Sequence, residues 1–399
     1  MKSNNNKKIL ISGMIRSGST LISRIMNAHS KIRIGSDVLL FIYKLCLYGE
    51  LKSQSLVNKN FDEFSLSSGF FDKTYSDIVT LIGKTNLDIE IKSQEKILIQ
   101  SRLESTLYME PGLVVNMNNI LLCQTYGELI DCLYSVIRNN GDTEYVGTKE
   151  AYCDDFKPWM DARYPNSKFI HIIRNPLAVY ASIKNFKKNY PLIYVLHHWR
   201  KHVAHALHNE SKHDALIILY EDLCKFPEEI SKRICDHLDL KFEDSMLLHD
   251  NWKTLSDEKW NSNSSYNFES KKSIYAEDLN KWEGASVSKE GLIAGYLCYE
   301  EIRKYYPKLF GDKKPKIGRN IFIKNLSSSK TQRVSYPDFI SDLTYNEDHL
   351  SKIWDHEEKR NKLLVEEDNL TSSSATKFFI NKEAYKSLLF HARSPKRNL

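Results

Sequence analysis

Three stretches of this 399-residue sequence bring together residues able to hold an anion. In the first, Gly13 and Gly18 bracket a turn between the apolar run Ile9 to Ile11 and a segment where Leu21, Ile22, Ile25 and Met26 recur at helical spacing. Amides of Ser17, Gly18, Ser19 and Thr20 then lie at a helix start, where N–H groups lack intrahelical acceptors and favour negative charge. In Walker A register Gly13, Gly18 and Thr20 fit, but Ser19 stands where the lysine belongs. The charge that stabilises a transferring group must then come from elsewhere, and Arg16 is the nearest candidate. The second stretch is an apolar run from Lys168 that ends in Arg174, with Pro176 suited to the first turn of a helix carrying Ser182. The third is the apolar run from Ala215, a strand expected to end at Tyr220, followed by a turn and a helix from Pro227 to Leu238.

A phosphate-type loop without its lysine, followed about 160 residues later by a strand ending in Arg174 and then Ser182, resembles the sulfotransferases that use 3′-phosphoadenosine 5′-phosphosulfate (PAPS). The run Arg16 to Leu21 resembles their 5′-phosphosulfate loop, and Arg174 with Ser182 resembles their 3′-phosphate motif. The resemblance implies PAPS as co-substrate, no metal, and cofactor contacts from Arg16, Ser17, Gly18, Ser19, Thr20, Arg174, Ser182 and Tyr220. It also implies contacts from Ser265 and Lys281, in segments similar to the late loop that closes over the cofactor in tyrosylprotein and carbohydrate sulfotransferases.

For catalysis the resemblance implies Arg16 on the 5′-phosphate and Lys149 at the leaving group. Lys149 stands where relatives have Lys-x-Pro, although here Ala151 replaces the proline. Asp37 matches the position of a glutamate in a Gly-Glu-Glu segment and is the candidate general base, its competing role being the N-cap of a segment starting at Val38. The acceptor hydroxyl stays open among carbohydrate, peptide tyrosine and small metabolite. A P-loop nucleotide kinase or a non-catalytic nucleotide-binding regulator is the alternative class, weakened by the missing lysine.

The resemblance implies an α/β fold with a P-loop-like parallel sheet flanked by helices, the sulfotransferase fold. The expected domain covers residues 1–310 with a helical insertion over about 50–142, in which Tyr75 to Ile82 and Ile120 to Arg138 read as helices. Further helices are expected around Phe156 to Tyr164 and over Lys289 to Tyr306. Residues 311–399 read as a C-terminal extension of unknown role, dispensable for nucleotide binding because every cofactor motif precedes it.

Hydrophobic content of 41% and charged content of 27% are those of a globular protein. Of the net charge of +6, most lies in the tail, where 17 basic and 12 acidic residues follow position 310, leaving 40 and 39 before it. A near-neutral main domain speaks against a nucleic-acid partner. The seven cysteines form no Cys-x-x-Cys pair, so reduced thiols rather than a zinc ribbon or disulfide framework are expected. With no apolar leader and no long apolar run, the reading is a bacterial-type cytoplasmic protein without a membrane partner, its oligomeric state open. His198, His202 and His205 could share one helix face, but without a suitably spaced carboxylate they read as solvated or packing residues.

Overall fold

A five-stranded, all-parallel sheet organises the first part of the chain in the computed structural model. The structure describes residues 7–40, 42–43, 88–107, 116–138, 142–151, 153–185, 190–260, 262–263, 266–267, 287–311, 313–327, 332–336, 339–343 and 346–365. In chain order the main elements begin with β1 (Lys7–Gly13), α1 (Ser19–Asn27), β2 (Ile32–Ser36), α2 (Ser93–Leu107), α3 (Met117–Leu122) and α4 (Tyr126–Arg138). They continue with β3 (Tyr145–Ala151), α5 (Lys157–Arg163), β4 (Lys168–Ile173), α6 (Pro176–Asn185), α7 (Leu192–Asn209), β5 (Ala215–Leu219), α8 (Tyr220–Lys225) and α9 (Pro227–His237). The last helices are α10 (Lys289–Tyr305), α11 (Arg319–Ser327) and α12 (Glu347–Val365). Among the described residues, those of 7–173 and 212–267 form one compact unit and those of 174–211 and 287–365 a second.

In the first unit the strand order is β2-β3-β1-β4-β5. The expected parallel sheet flanked by helices is therefore present. Strands buried on both faces need apolar residues at nearly every position, and Ile9, Leu10, Ile11, Ile170, Ile172 and Ile173 supply them. Successive side chains point to opposite faces. Ile9, Ile11, Ile34, Ile170, Ile172 and Ile218 join Ile22 and Ile25 of α1 and Ile230 and Ile234 of α9 in one core. On the other face Lys8 lies over the rings of Tyr134 and Tyr164, 5.1 and 5.8 Å from their centroids. The chain leaves β1 toward β2 and β3 on one side and later adds β4 on the other. Such a reversal opens a crevice at the C-terminal strand ends, where α/β sheets place ligands.

Several expected boundaries shift. The single helix expected over Ile120 to Arg138 is two helices, α3 and α4, because Thr125 and Glu128 form a reciprocal cap: the Glu128 amide donates to Thr125 Oγ1 (3.2 Å) and the Thr125 amide to Glu128 Oε2 (3.3 Å). Tyr220 does not end β5 but opens α8. The helix expected around Phe156 to Tyr164 is α5, entered through a short 3-10 turn at Asp154–Phe156. The candidate helix Tyr75 to Ile82 lies outside the described residues. The six cysteines among the described residues form no disulfide. No helix among the described residues is long and apolar enough to cross a membrane.

In the second unit α7 is buried along most of its length, His198, His202 and His205 included. Helix α10 kinks at Cys298 (φ −128°, ψ 22°). The kink leaves the Leu297 carbonyl to accept from Arg200 (3.0 Å) and from Arg360 (3.3 Å). Arg200 also pairs with both oxygens of Glu357 at 2.7 Å, and Arg360 Nη2 donates to Glu301 Oε1 at 2.6 Å. Although burial opposes ionisation, Arg200 and Arg360 hold the Glu357 carboxyl well below its usual range. Burial and Arg200 push His197 down to about 3, so it is neutral. Trp354 stacks on Tyr296 with centroids 4.7 Å apart and planes 5° from parallel. Residues 347–365, read from sequence as part of an extension, are thus an integral helix of this unit.

Candidate active site

The loop between β1 and α1 is shaped by its own polar groups. Ser17 donates its amide (3.1 Å) and its hydroxyl (2.6 Å) to the Met14 carbonyl, closing a tight turn. Its hydroxyl therefore builds the loop, and what the loop offers a ligand comes from the residues around it. Arg16 sits at φ 67° and Gly18 at φ 94°. The first intrahelical bond runs from the Ile22 amide to the Gly18 carbonyl (3.1 Å), and no side chain caps the helix. The amides of Ser19, Thr20 and Leu21 precede that bond, and the first turn carries no acidic residue. This is the anion-binding geometry read from the sequence.

Gly18 is needed twice over. Its φ is one that L side chains rarely adopt, and a Cβ there would lie 2.3 Å from the Tyr220 ring. Tyr220 at the start of α8 thus lies against the loop at the neck of α1. The ring thus also forms a wall supporting Gly18.

On the neighbouring strands β3 and β2 the structure brings Lys149 and Asp37 together. Lys149 is the fifth residue of β3, inside the strand rather than in the turn beyond it, and pairs in register with Ser36 of β2. The Asp37 amide donates to the Lys149 carbonyl (2.7 Å), and Lys149 Nζ meets Asp37 Oδ2 at 2.5 Å. Lys149 is buried, whereas Asp37 keeps 33% of its side-chain exposure. Asp37 Oδ1 has no hydrogen-bond partner among the described residues. The backbone of Asp37 is held at φ 55°. A non-glycine residue costs on the order of 1 to 3 kcal/mol in such a region and stays there only when its surroundings fix it. Because β1 pairs with β3 from Gly13↔Ala151 downward, the loop, Lys149 and Asp37 all lie at neighbouring C-terminal strand ends.

The capping role weighed for Asp37 belongs to another residue. Amides of Leu39 and Leu40 donate to Glu150 Oε1 (2.7 Å) and Oε2 (2.9 Å). Glu150 is fully buried, and burial, with the Asp37 charge adding to it, pushes its carboxyl up to about 8 despite those two amides. The sequence reading passed over Glu150. The signal for it was an acidic residue following Lys149 near the end of a strand.

Arg174 follows the last residue of β4 and belongs to the second unit, where its carbonyl accepts from Trp199 Nε1 (2.8 Å). Asn175 caps α6 by accepting from the Leu177 and Ala178 amides (2.9 and 3.4 Å). Ser182 lies half-buried on that helix. Ser265 and Lys281 lie outside the described residues. The segment leading toward them is firmly built: Trp252 and Trp260 are buried beside His249, and Arg33 holds the Leu255 carbonyl at 2.7 Å.

Comparison with known proteins follows the same lines. Residues 127–244 match the model of the sulfotransferase family, a span that holds Lys149, Arg174, Ser182 and Tyr220 but not the β1–α1 loop or Asp37. The chain is 24% identical over 260 residues to a Caenorhabditis briggsae protein named "Putative protein-tyrosine sulfotransferase", covering 62% of this chain and 71% of that one. Among solved structures it resembles the sulfotransferase domain from the curacin biosynthetic pathway (20% identity, TM-score 0.39, 70% of this chain and 90% of that one). It also resembles the sulfotransferase domain of the Synechococcus PCC 7002 olefin synthase (17% identity, TM-score 0.38, 71% and 89%). Over residues 127–244 the chain is thus similar to the sulfotransferase family.

Proposed function

We propose that the protein moves the sulfuryl group of PAPS to an acceptor hydroxyl. The observation that carries this reading is the contact of Lys149 Nζ with Asp37 Oδ2 beside a lysine-free anion loop. In this reading the amides of Ser19 and Thr20, with Arg16, hold the 5′-phosphate, and Lys149 stabilises the negative charge that develops on the oxygen leaving sulfur. Asp37 accepts the acceptor's proton as the new bond to sulfur forms. The S–O bond to the phosphate breaks, and adenosine 3′,5′-bisphosphate departs. Arg174 and Ser182 are the residues that the family resemblance gives to the 3′-phosphate. The acceptor class is carbohydrate, peptide tyrosine or a small hydroxylated metabolite, and no step in this scheme uses a metal.

Ligand-dependent melting tests the donor. Adenosine 3′,5′-bisphosphate at a hundred times its Kd is expected to stabilise the fold by about 2.7 kcal/mol, and Mg-ATP to do little. Stabilisation by Mg-ATP alone would favour a nucleotide kinase. In Arg174→Ala the preference for the 3′-phosphorylated nucleotide over adenosine 5′-phosphosulfate should fall by about 1.5 to 3 kcal/mol, measured by calorimetry.

A further inference from the structure

Glu150 has no place in that scheme, yet it touches the same turn from behind. Side chains alternate along β3, so Lys149 projects to the face that carries α1 and Glu150 to the opposite face. One strand step therefore delivers two grips on one loop. Lys149 holds the Asp37 carboxylate from one side, and Glu150 holds the Leu39 and Leu40 amides from the other. The Lys149 carbonyl takes the Asp37 amide between them.

We propose that Glu150 is a positioning residue of the transfer site: by accepting the Leu39 and Leu40 amides it locks the turn that carries Asp37 and keeps the Asp37 carboxylate on Lys149. The inference rests on the assignment of Asp37 and Lys149 above. Asp37 sits at a positive φ that it leaves unless held, and its own side chain caps nothing in the turn. Without Glu150 two buried amides lose their acceptor, and the turn relaxes toward ordinary backbone angles. A glutamine restores one acceptor oxygen but sets an NH₂ group against the second amide. Around Glu150 stand Asp37 and Lys149 from the strand ends, with Tyr43 and Tyr134 close enough to respond to its charge.

The test reads the reactivity of Lys149 in the full-length protein. A limiting pulse of acetic anhydride is followed by mass spectrometry, with exposed Lys184 as internal reference. Wild type should acylate Lys149 slowly. Glu150→Gln should raise that rate at least about fivefold, the loss of roughly one hydrogen bond's hold, toward the level of Asp37→Asn, which lacks the ion pair. Ile25→Val, a core change in α1 that lowers stability without touching the turn, should leave the rate at the wild-type value. An unchanged rate in Glu150→Gln, or an equal rise in Ile25→Val, would overturn the proposal. Should Glu150→Gln fail to fold, hydrogen exchange in wild type decides, because the Leu39 and Leu40 amides must be protected if Glu150 holds them and fast if it does not. A wild-type protein that binds no adenosine 3′,5′-bisphosphate would end the donor assignment, while the acylation rates would still report on Glu150.

Discussion

At the scale of single residues, Gly18 carries a sharp expectation. Gly18→Ala adds a methyl group at φ 94° against the Tyr220 ring, so strain and overpacking should together cost on the order of 2 to 5 kcal/mol in urea unfolding. Adding Tyr220→Leu should recover the overpacking part and leave the backbone part, and full recovery would show that φ is not the constraint. Glu150 gives a pH expectation. Its carboxyl is pushed up to about 8 when folded, against an ordinary value near 4.5, so the native state keeps a proton that the unfolded chain releases. Its contribution is therefore present below about pH 4.5 and is lost as pH rises toward 8. Glu150→Gln should flatten that part of the profile of melting temperature against pH, and an unaltered slope would assign the titration to other groups. Gly18 could be read from the chain because local spacing alone defines its turn. Glu150 could not, since its partners lie 110 and 111 residues away in sequence.

Elements were legible where their signals were local. The strands β1, β4 and β5 announce themselves as apolar runs ending in polar residues, and the structure places them at those positions. The break between α3 and α4 was also written in the sequence, as Thr125 followed three residues later by Glu128, but continuous apolar spacing masked it. Thr125→Ala should cost about 1 kcal/mol, measured by thermal unfolding, since the Glu128 amide loses its cap. The kink in α10 was not legible, because its cause lies in other helices: the freed Leu297 carbonyl is taken by Arg200 and Arg360. Arg360→Met should destabilise the fold by about 3 to 5 kcal/mol, as it leaves Glu301 buried without that guanidinium. The double variant with Glu301→Gln should recover part of the loss in the same unfolding assay, and strict additivity would show that the two do not act as a pair.

At the scale of the molecule, the two compact units are each assembled from separated stretches of chain. Truncation after Phe310 removes Glu357, Arg360 and Trp354 together, stripping Arg200, Glu301 and Tyr296 of these partners. The expectation from motif positions alone, that the tail is dispensable for nucleotide binding, therefore becomes testable only in a chain whose second unit still folds. The truncated protein should melt well below the full-length one by calorimetry, and equal melting temperatures would show that α12 adds nothing to the unit. The pair between Arg200 and Glu357 also joins residues 157 positions apart in sequence. A ribosome making this chain releases α7 long before α12 exists, so during that interval Arg200 has yet to meet Glu357. Long-range closure of this kind is slow, and domains that depend on it expose apolar surface while they wait. The nascent second unit therefore stays incompletely paired until residue 365 has cleared the exit tunnel.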